Sequence, residues 1–219
     1  MSMKLTKRRL DVRAFVFSGG EIFAEYIEEK TENGDLVICA DSGYKNAVSM
    51  GAKIDVLIGD FDSIGRIPDD VGEILQVPAK KDLTDTQLAV EVAVERGADE
   101  IIIVGSTSGR VDHALSTLAI LESLWDRKIH AYVVNGQNRV RFLRDSGVII
   151  VRSQYKYFSL ISLDGKAKKV SIEGAKYPII NKDIGRGLQF AVSNEIEKNC
   201  ALITVKKGAV YVIESRDMG

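Results

Sequence analysis

Histidine and cysteine are scarce in this chain, with two of each among 219 residues. His113 and His130 are too few for a histidine-rich zinc site. Cys39 and Cys200 each sit inside an apolar run and lie far apart in sequence, so they read as buried thiols of a reducing compartment, not as a disulfide or a metal pair. An excess of one charge is also missing: 30 Lys and Arg against 31 Asp and Glu leave a net charge of -1. Nothing general about the charge draws the protein to nucleic acid or to anionic lipid, and any anionic ligand has to be held locally. No apolar run approaches the ~18 residues of a membrane helix. The opening MSMKLTKRRLDVRAFVF carries basic residues but no apolar stretch of signal length with a small-residue cleavage site, so the expected compartment is the cytoplasm. The phosphate-cradling pattern GxxxxGKS/T and the dinucleotide pattern GxGxxG are both absent.

What is present is a globular composition, 45% hydrophobic and 28% charged, enough for one large core or two modest ones. From Arg13 to Asn135 the apolar runs RAFVF, LVICA, DVLIG, EILQV, EIIIVG and HAYVV alternate with segments of helical period. Alternation of this kind predicts an α/β domain, an open parallel sheet with crossover helices. Helices are expected over EIFAEYIEEK after Gly20, over YKNAVSMG after Asp41, from Thr84 to Gly97, and from about Asp112 to Arg127. Thr84 and Gln87 have capping-box spacing, and Gly97 marks the stop. Along the last helix Ala114, Leu118, Leu121 and Trp125 share a face, which puts the lone tryptophan in the core.

Beyond about Phe142 the pattern changes to short alternating strands, GVIIV, YKYFSLISL, AKKVSIEG, LQFAVS, ALITVKK and AVYVIES. These predict a C-terminal antiparallel β-sandwich or partial barrel. The expected organisation is therefore two domains, 1–143 and 144–219.

The unusual residues fall at strand ends: Ser18 to Gly20, Asp41, Asp60 with Asp62, Gly105 to Arg110, and Asn135. In an open parallel sheet ligands bind beyond the carboxyl ends of the strands, so these positions describe one rim of one site. In GDFDS, Asp60 and Asp62 lie two apart on an extended chain, facing the same way about 6 to 7 Å from one another. That spacing suits a divalent cation, and it equally suits two solubilising acids where a strand leaves its sheet. Phe61 between them faces the other side and anchors the turn. A second acidic pair, Asp82 and Asp85 in KKDLTDTQ, stands at the mouth of the Thr84 helix, where capping and the helix dipole alone favour acids. Taken together, the four carboxylates without histidine form the hard oxygen environment that magnesium prefers. Lys80 and Lys81 are placed to face phosphates, or simply form a solvated loop. The strand, small-residue loop and helix of IIIVGSTSGRVDHALSTLAIL read as an anion site made of backbone N–H groups. Arg110 offers a fork for phosphate and Asp112 an acceptor for ribose or base. His113 is either a ligand contact or a first-turn residue with a locally satisfied imidazole. By spacing alone, Ser193 and Asn194 in SNE are no more than turn formers.

ADSG (40–43), DVLIGDFDS (55–63), KDLTD (81–85), GRVDH (109–113), Tyr177-Pro178 and SNE (193–195) occur in the order seen in thiamine pyrophosphokinases, which the chain resembles from about Phe17 to Asp217. Ser42 stands where that family usually has glycine, and Ile54 where proline is common. The resemblance implies a homodimer with an ATP- and magnesium-binding α/β domain and a β-sandwich domain that helps hold thiamine at the subunit interface. It implies transfer of diphosphate from ATP to the thiamine hydroxyl, giving thiamine diphosphate and AMP. By motif, Asp60, Asp62 and Asp85 resemble the magnesium ligands and Asp41 and Asp82 the supporting acids. Lys81, Thr84, Arg110, Asp112, His113 and Asn135 fall on the nucleotide side, Ser193 and Asn194 on the thiamine side. Tyr211 takes the place of an aromatic that stacks on thiamine in some members. Two other function classes remain in view. A D-x-D phosphohydrolase with Asp60 as nucleophile is disfavoured by the motif's position on the third strand without the expected threonine or valine pattern after it. A silent nucleotide or thiamine sensor has no need of four aspartates.

Overall fold

The computed structural model describes residues 12–61, 70–78, 82–188 and 190–218. Asp62, Lys80 and Lys81 lie outside them. The six apolar runs form β1 (Val12–Phe17), β2 (Leu36–Ala40), β3 (Val56–Gly59), β4 (Glu73–Gln76), β5 (Ala98–Val104) and β6 (His130–Val134). They pair in parallel in the order β4-β3-β2-β1-β5-β6. Successive side chains leave a strand on opposite faces. Ala14 and Val16 accordingly pack on one side with α2 (Asp85–Glu95) and α3 (Val111–Asp126), while Phe15 and Phe17 pack on the other, near α1 (Tyr44–Ser49). Helix α2 starts as its sequence indicates: Thr84 Oγ1 accepts a hydrogen bond from Gln87 N at 3.2 Å, and Gly97 follows the helix with φ +88°.

One expected helix is absent. Residues 21–30 hold a single 3-10 turn, Ala24–Tyr26, with only the period of a helix. Their hydrogen bonds go to the sheet instead: Phe23 N donates to Asn135 O at 2.8 Å, and Glu28 and Glu29 both accept from Arg139. A helix would point those groups elsewhere.

The large sheet does not end with the parallel strands. It continues antiparallel through β7 (Asn138–Arg144), β13 (Ala209–Ser215) and β9 (Tyr157–Ser162), to nine strands. Against this extension lies a separate four-stranded antiparallel sheet in the order β11-β10-β12-β8, formed by β8 (Gly147–Val151), β10 (Lys166–Glu173), β11 (Ile179–Gly185) and β12 (Cys200–Lys207). Leu143, Phe158, Leu160, Val210 and Val212 from the first sheet meet Ile150, Val170, Ile172, Ala201, Ile203 and Val205 from the second. The C-terminal sandwich is thus completed by strands that belong to the large sheet.

Two expectations about this half need correction. Residues 190–193 are not a named strand, whereas Ile179–Gly185 is, although only Ile184 in it is buried. As an exposed edge it needs no apolar alternation, so its sequence carries no strand signal. Cys39 is buried as expected, but Cys200 is exposed, because Ala201, Ile203 and Val205 face inward and place the thiol on the outer face. Both are free thiols. Among the described residues no helix is long and apolar enough to cross a membrane.

Candidate active site

The parallel register aligns the strand ends. Phe17 pairs with Cys39 and Val104, Ala40 with Ile58, and Val104 with Val134. Ser18, Asp41, Asp60, Gly105 and Asn135 therefore follow along one edge of the sheet. Close approach sets the residue types here. A Cβ on Gly59 would stand 3.2 Å from Asp41 Cα, and one on Gly43 would stand 2.2 Å from Phe17 O. Asp41 itself has φ +45°, and its Oδ1 is fully enclosed. Phe61, with φ +65°, packs its ring against the cluster on the α1 side of the sheet, so it anchors the turn after Asp60.

The second acidic segment reaches the same edge from the helix layer. Asp82 is exposed; Asp85 is the first residue of α2, with its Oδ1 enclosed. The next side chain, Thr86, shares a hydrogen bond of 2.6 Å with Ser18 at the end of β1. Helix α2 also packs on β1, β2 and β3, so its acid-bearing start lies over the strand ends that carry Asp41 and Asp60. Every candidate donor here is a carboxylate oxygen, the chemistry of a hard divalent ion and not of zinc or copper. Among the described residues no three His, Cys, Asp or Glu side chains are grouped so as to hold a metal ion, and Asp62 is not one of those residues.

Across β1 from the acids lies the loop after β5. Gly105 (φ +103°), Ser106 (φ +60°) and Gly109 (φ +81°) fold it tightly, and a Cβ at Gly105 would come within 2.6 Å of Ser18 O. Ser106 N donates to Gly19 O at 2.8 Å, and Ser108 Oγ accepts from Glu21 N at 2.7 Å. Asn46 of α1 donates to Ser18 O at 2.8 Å and Gly20 O at 3.0 Å. At the head of α3, Arg110 holds Asp112 through a two-pronged pair of 3.1 and 2.6 Å. Those hydrogen bonds pull the Asp112 carboxyl down to about 2, although both side chains are largely exposed. His113 is exposed, and its N–H donates to Asp112 Oδ1 at 3.0 Å. Asn135 is buried, with Oδ1 accepting from Gln137 N and Asn138 N, so it shapes the turn into β7.

The C-terminal motif residues lie on the sandwich. Ser193 takes φ +56° and donates its N–H to Ser159 Oγ at 3.0 Å. Asn194 is buried, and its amide grips the backbone of Tyr177 in both directions, accepting from Tyr177 N at 3.0 Å and donating to Tyr177 O at 2.8 Å. The ring of Tyr177 is thereby presented, 60% exposed, beside a cleft of about 260 Å³ that Pro178, Ile179, Phe190, Val192 and Asn194 help to line. Tyr211 lies elsewhere. Its ring packs edge-on against Phe142 on the α3 face, its hydroxyl donates to Glu122 at 3.0 Å, and its neighbours Val210 and Val212 face the sandwich. Thr86 and the aromatic wall at Phe190 carry no signal in the sequence, because their partners are distant in the chain.

Known proteins resemble this chain in both sequence and fold. The thiamin pyrophosphokinase catalytic-domain family matches residues 27–133, and the thiamin pyrophosphokinase vitamin B1 binding domain matches residues 147–210. The chain is 30% identical over 193 residues to thiamine pyrophosphokinase of Bacillus subtilis (strain 168), covering 85% of this chain and 90% of that one. It is 26% identical over 169 residues to thiamin pyrophosphokinase 1 of Caenorhabditis elegans, covering 73% and 69%. The crystal structure of thiamine pyrophosphokinase from Bacillus subtilis superposes with a TM-score of 0.83 at 27% identity, over 94% of this chain and 100% of that one. That of thiamin pyrophosphokinase from Geobacillus thermodenitrificans gives 0.79 at 25% identity, over 95% and 99%. With both domain families matched in order over most of its length, the chain belongs to the thiamin pyrophosphokinase family.

Proposed function

We propose that this thiamine pyrophosphokinase works at the rim just described, with Asp60, Asp62 and Asp85 holding magnesium and Asp41 and Asp82 as supporting acids. The observation that carries the reading is the Thr86–Ser18 contact, which brings the head of α2, and Asp85 with it, to the strand edge that bears Asp41 and Asp60. The all-oxygen donor set fits the ion. When bound, magnesium neutralises the triphosphate charge that the attacking alcohol would otherwise meet.

The remaining work falls to the chain's own groups. The loop turns the N–H groups of residues 107–110 and the Arg110 guanidinium toward phosphate, and the enclosed Thr107 hydroxyl, without a partner among the described residues, is a donor of the kind a phosphate oxygen takes. Lys81 and Thr84 flank the triphosphate, and Asp112 and His113 border the nucleoside, with Asn135 holding the turn into β7 beside them. Thiamine lies against the sandwich near Ser193 and Asn194, with its hydroxyl toward the acids and with a second copy of the chain completing the pocket. The hydroxyl oxygen attacks the β-phosphorus in line, the bond from that phosphorus to the oxygen bridging to the α-phosphate breaks, and AMP leaves. The hydroxyl proton passes to a carboxylate of the cluster. The compartment is the cytoplasm, where both cysteines stay reduced.

The test is a product assay with thiamine, ATP and magnesium. One AMP is expected per thiamine diphosphate, and ADP as the sole nucleotide product would refute the reaction. Asp62→Ala is expected to abolish turnover with an unchanged circular-dichroism spectrum, so a variant as active as the parent would remove the acids from the mechanism. Light scattering is expected to give a dimer; a monomer with full activity would refute the shared thiamine pocket.

A further inference from the structure

The two halves of the rim are joined by three hydroxyl groups to which the sequence gives no role of their own. Ser106 Oγ donates to Ser18 Oγ at 2.5 Å, and Ser18 Oγ meets Thr86 Oγ1 at 2.6 Å. Ser18 and Ser106 are both buried, at 4% and 8% exposure. The chain of contacts runs from the anion loop after β5, across the end of β1, to the first turn of α2. Each end neighbours a group with a proposed role: Thr86 follows Asp85, and Ser106 lies in the loop that leads to Arg110.

The backbone holds the middle member rigidly. Ser18 N donates to Val104 O at 2.9 Å, and Ser18 O accepts from Asn46 at 2.8 Å. Ser106 is kept in a left-handed conformation that serine seldom adopts, while Gly105 before it passes too close to Ser18 O for any side chain. Strain of this sort persists only where its surroundings enforce it. The hydrophobic core does not require a polar group at any of the three sites. The helix has its own N-cap in Thr84, so Thr86 is not needed for capping.

We propose that Ser18, Thr86 and Ser106 form a hydroxyl bracket that fixes the acid-bearing head of α2 against the phosphate-facing loop, and that they are positioning residues for the triphosphate. The inference rests on the reading of Asp85 and of the 105–110 loop given above. Of the three hydroxyl protons, two suffice for the two contacts. If Ser106 donates to Ser18 and Ser18 to Thr86, the proton of Thr86 is available to the site. The bracket sets the distance between acids and loop before any ligand arrives, so its loss falls on nucleotide affinity more than on turnover.

The experiment uses the full-length enzyme and measures equilibrium ATP binding in the presence of magnesium by titration calorimetry, with the melting temperature of the ligand-free protein alongside. Thr86→Val raises the ATP dissociation constant about five- to tenfold, the loss expected for one hydrogen bond, and Ser18→Ala, which removes both contacts of the bracket, raises it at least as much. Thr86→Ser keeps the hydroxyl and stays within about twofold. The double variant Ser18→Ala/Thr86→Val binds no more weakly than the poorer single one, because both remove the same contact. Unchanged affinity with a lowered melting temperature would make the hydroxyls a stability device and overturn the proposal, as would additive losses in the double variant. Asp60→Ala separates this outcome from the wider reading. If Asp60→Ala is inactive while Ser18→Ala binds ATP normally, only the bracket fails; if Asp60→Ala is fully active, the reading of the acids fails whatever Ser18→Ala does.

Discussion

Gly43 closes the ADSG motif, and replacing it by alanine tests how tightly the rim is built. Its φ of -60° and ψ of -18° suit any residue, so Gly43→Ala carries no backbone strain. The whole effect is steric. The added methyl would lie 2.2 Å from Phe17 O, 2.6 Å from Phe17 C and 2.8 Å from Ser18 Cα, all backbone atoms that no rotamer change can move aside. Restoring ordinary contact needs a displacement of about 1 Å or more between the ends of β1 and β2. Overpacking of this kind costs about 1 to 3 kcal/mol. For a chain of this length that is a fall of about 2 to 12 °C in melting temperature. The same displacement moves Ser18 away from Thr86, so the ATP KM is expected to rise by more than about threefold while the thiamine KM stays within twofold. Thermal unfolding followed by circular dichroism and initial-rate assays in each substrate measure both effects. A melting temperature within 1 °C of the parent and an unchanged ATP KM would refute the claim that this glycine sets the spacing of the strand ends.

Arg139→Met removes the cation at the centre of a buried cluster. Arg139 lies 2.5 Å from Glu29 and 3.6 Å from Glu214, with all three side chains at least nine-tenths buried, so the variant is expected to lose about 3 to 5 kcal/mol in urea unfolding; a loss under 1 kcal/mol would count against it. The Asp112 carboxyl, held down to about 2 by Arg110, should titrate there by NMR and return toward the ordinary ~3.9 in Arg110→Ala. Because its folded value lies below the unfolded one, its stabilising effect is complete above the ordinary range and is lost as pH falls from ~4 toward 2. Equal midpoints in both proteins would disprove the pair. Finally, one thiol per chain should react quickly with a disulfide reagent: Cys200 is exposed, whereas burial pushes the Cys39 thiol up and hides it. Two fast thiols would contradict the placement of Cys39.

What could be read along the chain, and what could not, follows from the range of the interactions involved. The strands β1, β2, β3, β5 and β6 are short apolar runs whose burial on both faces leaves a local mark, and Thr84, Gln87 and Gly97 delimit α2 through contacts three or four residues long. The rim follows from the same local facts, since a parallel sheet puts every strand end on one edge. Residues 21–30 mislead because their helical period serves another purpose: Ile27 enters the core while Glu28 and Glu29 turn to Arg139, more than a hundred residues away. The division of the C-terminal strands between two sheets is equally hidden, because β9 and β12 are both short runs with apolar residues and only their distant partners decide the sheet. Asn194 shows the limit most clearly. Its type and position were legible, yet its amide is taken up by the backbone of Tyr177 on a different segment, where it holds that exposed residue in place. An asparagine that acts through a neighbouring aromatic is indistinguishable in sequence from one that touches substrate. The two differ in the fold: removing the amide frees a backbone turn in the first case and one hydrogen bond in the second.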